Sequence, residues 1–373
     1  MAEQNHLEEN LCWEIGVIQQ CKHGETICGD HFVVSREDNR IQIVLSDGLG
    51  SGVQANIAST LTATLISGLT KRGLPLEDCI RSVAAVLPIT KKHNLAYATF
   101  SLVSTEGRQV QIVQYDNPPA VFLRDGVSLT YPFESHTILE KTLQKSVLTM
   151  KKDDMLVLFS DGVSEAGRGV TTYSGWDRRQ MEDYLFRSVH PDDYARHVAA
   201  NIISAVQALD LFEFHDDTTV IVLRLRERLA ANMLISFSDA WKPDESVLLS
   251  FFAKEGLHII CGKGAAHAVT SSGIDGIDLT VEGDYPFTEI LSLIQHYQRD
   301  GMMSLDLEQA QDGASLLLKM LAEEASEVNI LFHAEFDGEQ TESDSAAMQK
   351  PEQVFCLQQL MTELGKTVTL NFC

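Results

Sequence analysis

Leu45-Ser46-Asp47-Gly48-Leu49-Gly50-Ser51-Gly52 is the stretch on which the reading of this chain turns. The apolar run Ile41 to Leu45 leads into it and reads as a buried strand. That strand stops at a carboxylate, glycines follow at 48, 50 and 52, and a long amphipathic pattern starts at Val53. Asp47 is thus expected where a strand ends and a helix begins, on a backbone that glycine allows to bend tightly. A carboxylate held on rigid flanking elements suits a hard cation. Taken alone, the same residues also make a plain strand-to-helix turn.

The pattern recurs. Met155-Leu156-Val157-Leu158-Phe159-Ser160-Asp161-Gly162 again runs an apolar strand into Ser-Asp-Gly. Asp216-Asp217 stands before the strand-like run Thr218-Thr219-Val220-Ile221-Val222-Leu223. If that strand runs antiparallel to the other two, all three carboxylates share one sheet edge. Gly29-Asp30 precedes a further strand, His31 to Ser35, and Asp38-Asn39 forms a two-residue hairpin turn. Pairing across that turn sets residue 30 opposite residue 47, which brings Asp30 beside Asp47.

The chain has 373 residues, enough for two or three domains, and is 44% hydrophobic. Its net charge of −24 argues against nucleic acid and against anionic membrane surfaces as partners. Seven cysteines are scattered without a Cys-x-x-Cys pair, so no zinc site of that kind is expected. They fit reduced thiols in a cytoplasm. Met1 to Asn10 is polar and acidic, unlike a signal peptide, and no apolar run approaches a membrane span. The expectation is a soluble cytoplasmic protein.

In chain order, a helix is expected over about 53–72. Val53, Ile57, Leu61, Leu65 and Leu69 form its apolar stripe, widened by Ala58 and Ile66; Ser51 caps its start and Gly73 its stop. A second helix follows Pro75, then short strands to Phe159, a glycine- and serine-rich flap over 164–176, helices over 178–187 and 192–209, and a strand from Thr218. The charged run Arg224-Leu225-Arg226-Glu227-Arg228 marks a boundary. Beyond it, helices and strands alternate, which predicts a smaller α/β domain with a mostly parallel sheet. Its strands include Ile277 to Val281, Asp312 caps a helix, and residues 337–350 read as an acidic loop. Cys261-Gly262-Lys263-Gly264 lacks P-loop spacing and reads as a tight turn.

Several carboxylates on one edge repel and raise one another's pKa, and divalent cations relieve this. Oxygen-only ligands favour two Mg²⁺ or Mn²⁺ ions over zinc. Such a pair suits in-line displacement at phosphorus by a metal-bridged water. No Gly-x-Ser-x-Gly elbow supports a serine nucleophile.

Gly29-Asp30, Ser46 to Gly52, Asn117-Pro118-Pro119-Ala120, Phe159 to Glu165 and Asp216-Asp217-Thr218-Thr219, taken together and in this order, resemble the motif series of the metal-dependent serine/threonine phosphatases. The bacterial branch typified by stage II sporulation protein E is the most similar. The resemblance spans about residues 12–226 and implies an αββα sandwich with a binuclear metal site at one end. It implies that Asp47 bridges both metals, that the Gly48 carbonyl is a ligand of one, that Asp161 and Asp216 complete the pair, and that Asp30 holds a bound water or a further ion. Asp217 lies outside that ligand set. The phosphate-binding arginine of the eukaryotic type 2C branch has no counterpart. Arg168 in the flap is the substrate-binding candidate, a solvated loop arginine being the alternative.

The resulting expectation is an α/β (α+β) protein in two parts. Residues 1–228 form a metal-dependent phosphatase domain, and residues 232–373 a smaller α/β regulatory or partner-binding domain. The function expected is Mg²⁺- or Mn²⁺-dependent hydrolysis of phosphoserine or phosphothreonine on a signalling protein. The alternative is a catalytically weak, metal-stabilised binding module. The resemblance further implies control through the helix after Gly52, by an activating protein partner that strengthens metal binding. Oligomeric state is not fixed by the sequence.

Overall fold

The computed structural model describes residues 10–37, 40–86, 98–138, 141–238, 240–273, 287–300, 313–334 and 349–373. The chain divides into two compact units, Met1–Glu227 and Arg228–Cys373.

In the first unit the elements are β1 (Leu11–Gln20), β2 (Asp30–Glu37), β3 (Arg40–Gly48), α1 (Gly52–Lys71), α2 (Leu76–Val86), β4 (Ala98–Glu106), β5 (Gln109–Tyr115), β6 (Val121–Arg124), β7 (Val127–Leu129), β8 (Glu134–Ile138), β9 (Lys141–Thr149), β10 (Met155–Phe159), α3 (Asp161–Ser164), α4 (Arg178–Ser188), α5 (Ala195–Leu209) and β11 (Thr218–Glu227). Two antiparallel sheets result, ordered β1-β11-β10-β6-β7 and β2-β3-β4-β5-β9-β8. The apolar runs are continuous because each sheet is covered on both faces. Along β10, Leu156 and Leu158 face the other sheet, where they meet Ile43, Leu45, Val103 and Ile112. Met155, Val157 and Phe159 face the opposite way, onto Leu185, Val198 and Ile202 of α4 and α5. The far side of the second sheet carries Val44, Phe100 and Leu102 against Ala63, Ile66 and Ile80 of α1 and α2. The layers therefore run helix, sheet, sheet, helix, the αββα order that the motif series implies.

The structure corrects two local expectations. Helix α1 buries Ala55, Ala58, Ser59, Thr62, Ala63 and Ile66, whereas Val53 is 58% and Ile57 46% exposed. Small side chains let the helix lie close on the sheet, so the larger apolar residues at its start face outward. Ser51 makes no capping hydrogen bond; its hydroxyl donates to Glu25 Oε1 at 3.3 Å. The stop at Gly73 is as expected, with φ +77° and Gly73 N bonded to Thr70 O. The charged run falls at the division between the units, and within it Arg224 and Arg226 are buried residues of β11. Arg224 pairs with Asp153 at 2.7 Å and Arg226 with Glu14 at 3.2 Å.

The second unit holds β12 (Ala230–Ser236), α6 (Glu245–Phe252), β13 (Leu257–Cys261), α7 (Lys263–Ser271), α8 (Phe287–Asp300), α9 (Gly313–Lys319, continued as a π turn over Met320–Glu324), β14 (Glu327–His333), α10 (Gln349–Glu363) and β15 (Thr367–Phe372). Its sheet is parallel and ordered β13-β12-β14-β15. Met233 and Ile235 pack on Ile294, Leu318 and Leu357, while Leu234 between them packs on Leu248, Phe251 and Ala268. Helices thus cover both faces, as expected of a parallel sheet. The expected strand Ile277 to Val281, the Asp312 cap and most of the 337–350 loop lie outside the described residues. Among the described residues no helix is long and apolar enough to cross a membrane.

Candidate metal centre

The β2–β3 hairpin pairs Asp30 directly with Asp47, and Glu37 with Arg40. This is the register that a two-residue turn requires, although Asp38 and Asn39 themselves lie outside the described residues. On the other sheet, Phe159 pairs with Val220 in antiparallel register, so Asp161, just beyond the end of β10, and Asp216, just before the start of β11, reach the same edge. Ser160 fastens these two strands: its backbone N–H donates to Thr219 O at 3.1 Å, and its Oγ accepts from Thr219 N at 2.9 Å.

The four carboxylates interact. Asp47 is in hydrogen-bonding contact with Asp161, and the charges of Asp30, Asp161 and Asp216 all act on it. Burial, then those charges, push Asp47 up to about 10. Burial pushes Asp30 up to about 7, against hydrogen bonds from Ser160 and Thr219 that favour its charged form. Asp216 is raised as well, by burial and then by Asp161. Two like charges 4 Å apart repel by about 4 kcal/mol even at an effective dielectric of ~20. A whole domain is stable by about 5–15 kcal/mol. A fully ionised cluster therefore needs counter-charge.

The residues fit divalent cations. Asp30 is 1% exposed, its Oδ2 accepts from Thr219 Oγ1 at 2.7 Å, and its buried Oδ1 has no hydrogen-bond partner. An ionised oxygen in that position calls for a ligand. All the donors are oxygens, which suits Mg²⁺ or Mn²⁺. Gly48 lies where a Cβ would stand 2.0 Å from the Ala55 carbonyl oxygen, so only glycine lets α1 approach this backbone.

Asp217 follows Asp216 and its charge also acts on Asp30, but its Oδ1 is taken up, accepting from Lys22 N at 3.0 Å. Arg168 is exposed on the 164–176 loop and pairs with Glu165. That loop is anchored at Gly167, whose N–H donates to Asp210 Oδ1 at 2.6 Å. Asp210 Oδ2 also accepts from His215 N at 3.0 Å, so one buried carboxylate ties the loop to the segment carrying Asp216. Neither Asp210 nor Gln19, which donates to Thr219 Oγ1 at 3.0 Å, is visible as functional in the sequence. Ser160 and Thr219 were visible only as neighbours of aspartates.

Asn117-Pro118-Pro119 forms one wall of a cleft of about 560 Å³ that Asp161 also lines. Asn117 is buried, donates to Ser101 Oγ at 3.1 Å and accepts from Thr99 Oγ1. Thr99 is the register partner of Asp47, so this wall is fixed to the carboxylate strand. Arg178 holds the cleft from α4 by donating to Pro119 O at 2.5 Å and Ala120 O at 3.2 Å.

The sequence model of the stage II sporulation protein E (SpoIIE) family matches residues 37–226, just over half of the chain. The chain belongs to the SpoIIE family. It is similar to stage II sporulation protein E of Priestia megaterium, at 22% identity over 227 residues, covering 57% of this chain and 36% of that protein. It is also similar to the phosphoserine phosphatase RsbU of Bacillus subtilis, at 23% identity, covering 52% of this chain and 59% of that one. The solved PP2C phosphatase domain of Bacillus subtilis SpoIIE, with a fragment of its regulatory domain, shares the fold at a TM-score of 0.50 and 18% identity, over 59% of this chain and 64% of that one. The chain thus spans less than two thirds of each of these relatives. SpoIIE membership places it in the metal-dependent phosphatase superfamily to which its motifs pointed.

Proposed function

We propose that this protein hydrolyses phosphoserine or phosphothreonine on a signalling protein, using two Mn²⁺ or Mg²⁺ ions. The observation that carries this is the convergence of Asp30, Asp47, Asp161 and Asp216, mutually repelling and with Asp30 fully buried, beside a cleft. Asp47, from its central place, would contact both ions; Asp161 and Asp216 would each hold one, with the Gly48 carbonyl, and Asp30 a bound water or a further ion. When bound, the ions supply charge for the phosphoryl oxygens and lower the pKa of water.

The chain's own groups do the rest. Thr219 and Ser160 keep Asp30 aimed and favour its ionised form. The Asn117-Pro118-Pro119 wall and Arg178 shape the cleft that receives the phosphorylated segment. Arg168 is our candidate for the phosphoester, exchanging Glu165 for it on arrival. Leu49, Val53 and Ile57, all exposed, are the face through which an activating protein partner would fix α1 and with it Gly48. Residues 232–373 are proposed to regulate rather than catalyse. RsbU is named a phosphoserine phosphatase, which supports the choice of substrate class.

The test is phosphate release from p-nitrophenyl phosphate and from a phosphoserine peptide, with Mn²⁺ and with EDTA. Metal-dependent release is the expected result. Metal binding without turnover on either substrate contradicts the enzyme reading and leaves a metal-stabilised binding module.

A further inference from the structure

Behind the carboxylate cluster lies a second group of ligands of different chemistry. Cys21 and Cys28 flank the loop between β1 and β2, and that loop folds back so that both thiols meet Asp217. The two sulfurs and a carboxylate oxygen all lie within 4.8 Å of one another. Cys28 is 8% and Asp217 3% exposed. The Asp217 carboxylate is only half used: Oδ1 accepts from Lys22 N, whereas Oδ2 is buried with no hydrogen-bond partner. Gly29 preserves the space in front of it, since a Cβ there would stand 2.6 Å from that same Oδ2.

A buried carboxylate with one unpartnered oxygen, gathered with two thiols, is a donor set in want of a cation. We propose that Cys21, Cys28 and Asp217 form a binding site for a thiophilic divalent cation, Zn²⁺ above all, separate from the oxygen-lined centre. Thiolates select borderline and soft ions over Mg²⁺ and Mn²⁺. Tetrahedral zinc with bonds of about 2.0–2.3 Å places its ligands about 3.5–3.8 Å apart, so three groups within 4.8 Å of one another need to close by no more than about 1.3 Å. A water takes the fourth position. The bound ion ties the 21–28 loop to the residue next to Asp216, and so braces the edge on which Asp30 and Asp216 stand. The site does not depend on the phosphatase reading.

Cobalt substitution tests it on the full chain with its thiols reduced, because thiolate-to-cobalt charge transfer reports sulfur ligation and is silent for an all-oxygen centre. One Co²⁺ per chain should bind with that absorption, resist excess Mg²⁺, and be displaced by Zn²⁺. Cys21→Ser and Cys28→Ser should each abolish the band, Cys12→Ser should leave it intact, and Asp217→Asn should weaken binding by about tenfold or more. X-ray absorption of the zinc-loaded wild type needs no variant and should show two sulfur neighbours at about 2.3 Å. The proposal is overturned by a shell of oxygen and nitrogen alone, by a band that survives in the Cys21→Ser and Cys28→Ser variants, or by a Cys21–Cys28 disulfide that takes up no metal once reduced.

Discussion

Both units collect polar residues at one edge of a sheet, and they treat them differently. In the first, Asp30, Asp47, Asp161 and Asp216 are brought together with three of them raised in pKa, and Asp30 keeps a buried oxygen without a partner. In the second, the strand ends are satisfied from within. Ser236 Oγ lies 3.3 Å from His333 Nδ1, Trp241 stacks on His333 with ring centroids 5.0 Å apart, and the backbone at Gly262 and Gly264 closes tightly on Ser236 and Ser238. Satisfied polar groups there stabilise a turn-rich edge. Unsatisfied like charges in the first unit cost stability, and a fold keeps that cost where a ligand repays it. This contrast is why we propose chemistry in residues 1–227 and control in the remainder.

The largest effect expected is that of Asp47→Asn. It removes the carboxylate at the centre of the cluster and should lower Mn²⁺-dependent turnover by about a thousandfold, the scale for losing a charge-stabilising group. Its metal-free thermal stability should hold or rise, because repulsion is relieved. Turnover near the wild-type level would erase the distinction between the two units.

Thr219→Ala sharpens the comparison by unsettling one oxygen. It deletes the 2.7 Å hydrogen bond to Asp30 Oδ2, leaving both carboxylate oxygens of a buried residue unsupported by Thr219. Mn²⁺ affinity should fall by about ten- to a hundredfold, as for other residues that orient a ligand. Calorimetric titration reads this directly, and unchanged affinity would remove Asp30 from the site.

The contrast should also appear in pH dependence. Asp30 and Asp47 hold their protons up to about 7 and about 10 in the metal-free fold, while in the unfolded chain they lose them near 4. Between those values the folded state binds more protons, so stability falls as pH rises through the window. Saturating Mn²⁺ should reverse the trend, since ions bind the ionised form and release protons. Thermal melts from pH 5 to pH 9, with and without Mn²⁺, measure both slopes; parallel slopes would contradict the account.

How much of this was legible beforehand depended on the kind of signal. Apolar runs ending in Ser-Asp-Gly gave the strand ends, and counting across a two-residue turn gave the pairing of Asp30 with Asp47. The supports did not show. Ser160, Thr219 and Gln19 are ordinary polar residues whose roles exist only once two strands lie side by side. The α1 stripe was right at Ala58, Ile66, Leu61 and Leu65 but wrong at its start, where packing distance to the sheet, rather than hydrophobicity, chose Ala55 for the inside and left Val53 and Ile57 exposed. Cys21 and Cys28 carry no spacing signature, because a folded loop and not a short repeat brings them together.

The smallest effect expected is that of ending the chain at Arg228. The shortened protein should remain folded and keep most of its basal turnover, losing only the regulation that we propose residues 232–373 supply. Unfolding on truncation would show that the two units share stability and would break the comparison.

The central claim is that the four aspartates hold hard cations, and anomalous scattering from Mn²⁺-soaked crystals tests it most directly. Two peaks should appear among Asp30, Asp47, Asp161 and Asp216, with the Asp47 carboxylate about 2.1 Å from each, an ordinary contact for a small hard divalent ion. Density elsewhere, with none among these carboxylates at saturating Mn²⁺, would contradict the account.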